Sequence, residues 1–77
     1  MRPLTLYSRP DCHLCDEAES LLISSGQGES YQKTDIETDL KLLRRYRIHV
    51  PVLMRNDIRK ELFWPFDAAE LAAFLGD

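Results

Sequence analysis

The sequence predicts an α/β domain in which a four-stranded mixed sheet carries helices on both faces, its elements running β-α-β-α-β-β-α. Three observations predict it. A short β-type run, Leu4 to Tyr7, gives way at Cys12 to a helical pattern and then to a second β-type run, a unit that implies a right-handed parallel crossover. Asn56-Asp57 between two later runs signals a hairpin, which adds antiparallel strands to the same sheet. At 77 residues there is room for one domain, 1–77, and for no second.

The first strand ends at Ser8-Arg9-Pro10-Asp11, a polar turn in which Pro10 biases Arg9 away from helix and Asp11 is the expected N-cap of a helix starting at Cys12. Leu14, Ala18, Leu21 and Leu22 recur at helical spacing, with Asp16, Glu17 and Glu19 between them, until Ser24-Ser25-Gly26-Gln27-Gly28 ends the element. Ser30 to Ile36 reads as an edge strand, since Tyr31 and Ile36 are its only large apolar residues. A second helix follows Thr38 or Asp39 as cap, traced by Leu40, Leu43, Tyr46 and Arg47, with Lys41, Arg44 and Arg45 on its solvent side. Ile48 to Met54 leads into the third strand, and Ile58 to Phe63 forms the fourth. Asp67 then caps Ala68 to Leu75, whose Leu71, Phe74 and Leu75 form a buried stripe ended by Gly76.

Composition narrows the function classes. With 44% hydrophobic and 30% charged residues the chain is ordinary for a folded domain. A net charge of -3 argues against nucleic acid as a partner, because phosphate binding needs a basic surface. No apolar stretch reaches the roughly 20 residues that span a bilayer, and the start, Met1-Arg2-Pro3-Leu4, lacks the apolar segment of a secretion signal. A cytoplasmic monomer is expected.

The chemistry rests on Cys12-His13-Leu14-Cys15, which holds the chain's two cysteines. At a helix start the first sulfur faces unpaired N–H groups and the positive end of the helix dipole, which favour the reactive thiolate. The second lies one turn along on much the same face, near enough to close a disulfide after the first has attacked. A permanent bridge across so small a loop would stabilise little. A redox cycle explains the pair better. Metal or iron–sulfur binding is the competing use of C-x-x-C, but a closed zinc site needs four ligands and only His13 and His49 remain to complete one. His13 either stabilises the thiolate or points to solvent. Trp64 and Phe66 either pack or offer an apolar docking surface.

With its element order, its C-x-x-C after the first strand and Val50-Pro51 opening the third, the whole chain resembles the thioredoxin fold in its minimal, glutaredoxin-like form. Thr5 to Cys15 is most similar to small glutaredoxin-like redoxins. The resemblance implies a thiol–disulfide oxidoreductase with Cys12 as nucleophile and Cys15 as resolving thiol. It implies a cis peptide at Pro51, with the backbone of Val50 offered to an extended peptide or glutathione; a trans proline at a strand start is the alternative. Arg9 matches a basic residue used on a glutathione carboxylate, and Asp67 matches an acidic residue at the start of the last helix. The chain departs from the family at His13-Leu14, where glutaredoxins commonly have Pro-x, and at Phe63-Trp64-Pro65-Phe66-Asp67, where they have Gly-Gly before the acidic residue. The second departure tilts the expected electron donor from glutathione toward a thioredoxin-reductase system, with no tightly bound cofactor. The expected partner is a disulfide-containing protein or a glutathione mixed disulfide. A non-catalytic binding module with redox-gated partner binding is the rival reading.

Overall fold

Alternating apolar residues in the first strand decide how the layers stack. In a computed structural model, which describes residues 4–26 and 31–76, the strand Leu4–Ser8 (β1) lies inside a four-stranded sheet. Leu4 and Leu6 point to one face, and Tyr7 points to the other. The remaining elements are helix His13–Ser24 (α1), strand Tyr31–Asp35 (β2), a 3-10 turn Ile36–Thr38, helix Leu40–Tyr46 (α2), strands Val52–Arg55 (β3) and Lys60–Phe63 (β4), and helix Ala68–Leu75 (α3). Strand order is β2-β1-β3-β4, with β1 and β2 parallel and the other pairs antiparallel. The mixed sheet with helices on both faces is the minimal thioredoxin-like arrangement that the sequence predicts.

The larger core lies under α1 and α3, where Leu4, Leu6 and Leu53 of the sheet meet Ala18, Leu22, Leu71, Phe74 and Leu75. Leu6, Leu22, Leu53 and Leu71 are wholly buried, each worth roughly 1.5–3 kcal/mol of transfer free energy. The smaller core lies on the opposite face, where Ile36, Tyr46 and Val52 pack with Tyr7, Leu42 and Leu43. Tyr46 fastens α2 to the sheet twice. Its ring stacks on Tyr7 at 4.7 Å between centroids, and its hydroxyl donates to the Glu61 carboxylate on β4. Tyr31 makes a similar bond from β2 to Glu19 of α1.

Several boundaries move from their expected places, each for a local reason. Cys12, not Asp11, is the N-cap of α1, and the helix starts at His13. Asp11 adopts a left-handed conformation, φ 57°, which a short polar side chain tolerates and which turns the chain into the helix. At the other end Gly26, φ +83°, supplies the left-handed residue that closes α1, its N–H donating to the Ile23 carbonyl. Gln27, Gly28 and Ser30 lie outside the described residues. β2 takes the expected edge position, yet Ile36 leaves it for the 3-10 turn because the Asp35 carboxylate accepts from the Glu37 N–H. The hairpin turn is longer than expected: residues 56–59 make it, with Arg59 at φ 54°, so β4 starts at Lys60 rather than Ile58. In α2, Leu40 is exposed and Leu42 takes its place in the core.

Arg55 is a feature that the sequence reading lacks altogether. At the end of β3 it is 3% exposed, paired with Asp57 at 2.7 Å and donating through Nη1 to the Phe74 carbonyl in the last turn of α3. A cation there satisfies a carbonyl that the helix leaves unpaired and suits the negative end of its dipole. The Arg55 guanidinium holds the Asp57 carboxyl below its usual range. At the other end of α3, Asp67 and Glu70 form a reciprocal capping box, in which each carboxylate accepts from the other residue's backbone N–H. Among the described residues no helix is long and apolar enough to cross a membrane.

Two outcomes follow from these bonds. Asp67→Ala removes the cap of α3 and is expected to lower stability by about 1 kcal/mol in urea unfolding. Burial first, and the carboxylate partner second, push the Tyr31 and Tyr46 phenols up to about 12. The folded chain thus keeps protons that the unfolded chain releases near pH 10, so this stabilisation is complete below about pH 10 and fades as pH rises toward about 12. The urea midpoint should fall over that interval, and less steeply in Tyr46→Phe; a flat midpoint would contradict the assignment.

Candidate functional site

The site forms where two chain ends leave the middle of the sheet. β1 pairs with β3 so that Tyr7 lies opposite Val52, which brings the turn after β1 and the segment before β3 to one edge. The first carries the cysteines and the second carries Val50 and Pro51. The Val50–Pro51 bond is cis.

Cys12 and Cys15 are joined as a disulfide, with Cα atoms 5.2 Å apart. Their surroundings differ. Cys15 is 2% exposed inside the first turn of α1, whereas Cys12 is partly exposed as the cap. The Cys12 sulfur accepts from the Cys15 N–H at 3.2 Å, and the Cys12 carbonyl accepts from the Asp16 N–H. One sulfur therefore faces outward at the positive end of a 12-residue helix while the other waits behind it.

Val50 and Cys12 share a cleft of about 340 Å³ with Arg9, Pro10 and Asp11. The Val50 N–H donates to the Tyr46 carbonyl at 3.0 Å. Pro51 is buried, and its carbonyl accepts from the Trp64 N–H. Arg9 reaches the cleft wall but its guanidinium is engaged: Nε and Nη2 donate to Glu37 at 3.1 and 3.0 Å, and Nη1 donates to the Arg47 carbonyl at 3.4 Å.

Asp67 is not among the residues lining this cleft. It borders a second depression, a groove of about 600 Å³ between α1 and the segment leading into α3, with Trp64 and Phe66. The aromatic pair meets edge to face at 5.0 Å. Phe66 belongs to the core and Trp64 packs partly against it, so the two residues serve both packing and surface. His13 lines the same groove, its ring exposed with Nε2 3.4 Å from a Glu17 carboxylate oxygen. Among the described residues no group of three or more His, Cys, Asp or Glu side chains is gathered for a metal ion. Sequence reasoning missed Glu37 and the Arg47 carbonyl as partners of Arg9. They lie 28 and 38 residues away, with no short-range signal to couple them.

Two solved structures of one protein, XcR50 from X. campestris, match this fold. The X-ray structure superposes with a TM-score of 0.84 at 42% identity, covering 95% of each chain. The solution structure gives 0.83 at 42% identity, covering 99% of this chain and 94% of that one. The solution NMR structure of Ne2328 from Nitrosomonas europaea gives 0.76 at 32% identity over 96% of this chain and 91% of that one. None of the functionally curated proteins matches the chain. The family model described as Glutaredoxin-like domain (DUF836) matches residues 3–76, nearly the whole sequence, and the chain therefore belongs to the glutaredoxin-like domain family.

Proposed function

We propose that this protein is a dithiol–disulfide oxidoreductase that reduces protein or small-molecule disulfides through Cys12 and Cys15. The observation that carries the reading is the unequal exposure of the pair, with Cys12 partly open at the helix cap and Cys15 closed behind it. In the reduced protein the Cys12 thiolate attacks one sulfur of a substrate disulfide. A Cys12–substrate bond forms, and the other substrate sulfur leaves as a thiolate that takes a proton. Cys15 then gives up its proton and attacks the Cys12 sulfur, expelling the second substrate thiolate, which is protonated in turn. Two electrons have passed to the substrate, and the Cys12–Cys15 disulfide remains. An external thiol or dithiol reductant returns the electrons.

The cysteine chemistry requires no resident cofactor. Arg9 neutralised by Glu37, Asp67 occupied as a cap and Phe66 in place of glycine all favour a protein dithiol donor, such as a thioredoxin-reductase system, over glutathione. Arg9 and Val50 line the substrate side of the cleft in this reading, with buried cis Pro51 next to Val50 in the chain, and the Val50 carbonyl accepts from the N–H of an extended substrate. Asp67 contributes from the neighbouring groove. The substrate is a disulfide-containing protein or a glutathione mixed disulfide, met by a monomer in the reducing cytoplasm.

After reduction, limiting iodoacetamide should modify Cys12 well before Cys15, as read by peptide mass spectrometry; equal labelling would contradict the assigned roles. Cys12→Ser should abolish reduction of a model disulfide, while Cys15→Ser should accumulate the mixed disulfide with substrate. Turnover by the Cys12 variant would overturn the mechanism. A reduced wild-type protein without any turnover would leave the fold as a binding module.

A further inference from the structure

The groove beside the cysteine pair has a chemistry that the redox step leaves unused. Its apolar surface comes from Trp64, Phe66 and Leu21, which are buried or half-buried, and its exposed charges are the carboxylates Asp16, Glu17 and Asp67. Among the described residues no lysine or arginine lines it. His13, next in sequence to the attacking cysteine, marks the end nearest the sulfurs. From there the lining follows α1 to Ser24, about 16 Å of helix at 1.5 Å per residue. An extended chain of about five residues covers that length. An open trough of this length suits a polypeptide segment better than a compact ligand.

We infer that the groove between α1 and the Trp64–Ala68 segment binds a basic stretch of the disulfide substrate's own chain. An apolar side chain of that stretch rests on Trp64 and Phe66, and its lysine or arginine residues face Asp16, Glu17 and Asp67. This deepens the oxidoreductase reading, and rests on it, by naming the substrate class: polypeptides with cationic and apolar residues beside the target cysteine. Charge complementarity carries the choice of occupant. The acidic lining repels an anionic chain or thiol, and the guanidinium that shares the Cys12 cleft, that of Arg9, is already matched by Glu37.

Trp64 is the only tryptophan in the chain, so its emission reports on the groove directly. The oxidised protein is titrated with a short end-blocked peptide in which a Leu-Ser-Leu centre, serine replacing cysteine, is flanked by arginines. The same peptide with glutamates in place of the arginines is the comparison. The arginine peptide should give a saturable change in Trp64 fluorescence, weakened by added salt. The glutamate peptide should bind about fivefold or more weakly, since each exposed ion pair alters affinity only a few-fold. The exposed substitutions Asp16→Asn and Glu17→Gln, made together, should bring that ratio close to one. Equal affinities, a ratio unchanged in the double variant, or no saturable response to the arginine peptide would overturn the inference. So would a Trp64 change on concentrating the protein alone, which would assign the groove to a second copy of this chain. Because the peptides lack thiols, binding is read apart from redox turnover. A lost preference with normal turnover removes the groove proposal alone, whereas an intact preference without turnover removes the oxidoreductase reading.

Discussion

The antiparallel pairing of β1 with β3 is the constraint on which the rest of the molecule depends. It sets Leu6 opposite Leu53 under α1 and α3, and Tyr7 opposite Val52 beneath α2, so one register fills both cores. A slip by one residue would exchange the two faces, exposing leucines to the tyrosine side. The same register fixes where the chain leaves β1 toward Cys12 and where it enters β3 from Pro51. The cleft is thus a by-product of core packing: its walls meet because the strands beneath them cannot pair otherwise.

Much of this was legible in the sequence because the deciding signals are local. The helical spacing of Leu14, Ala18, Leu21 and Leu22, the carboxylates Asp39 and Asp67 before helices, and Gly26 after one each act within a few residues. C-x-x-C and Val-Pro were equally readable, since backbone continuity alone puts them at element ends. What stayed hidden depends on distant partners. Nothing near Arg9 announces Glu37, so it reads as a site free to meet an anion, and nothing near Arg55 announces the Phe74 carbonyl, so it goes unremarked. Asp67 matched a family position by its place before the last helix. Whether it shares a cleft with Cys12 depends on how α3 packs, which no local pattern encodes.

Charge is arranged by element rather than spread evenly. Exposed Asp16 and Glu17 make one face of α1 acidic, while exposed Lys41, Arg44, Arg45 and Arg47 make α2 basic on the far side of the sheet. Several charges are tied across elements: Lys33 of β2 to Glu19 of α1, Arg45 of α2 to Glu61 of β4, and Arg9 to Glu37. Exposed pairs of this kind add little stability each. Their larger effect is to neutralise Arg9 beside the cysteines, while among the described residues Asp16 and Glu17 of α1 meet no lysine or arginine.

The Arg55 contact has a further consequence for how the chain holds together. An eight-residue helix is too short to persist alone in water, and α3 is secured at its C-terminal end by a side chain that belongs to the hairpin strand. Loss of α3 would strip apolar cover from the sheet and take the Phe74 carbonyl from a buried cation, which couples the helix to the hairpin. The C-terminal third of the chain is therefore not an appendage on a redox motif. It supplies β3, the partner of β1 in the middle of the sheet, and the helix that covers the core beside them.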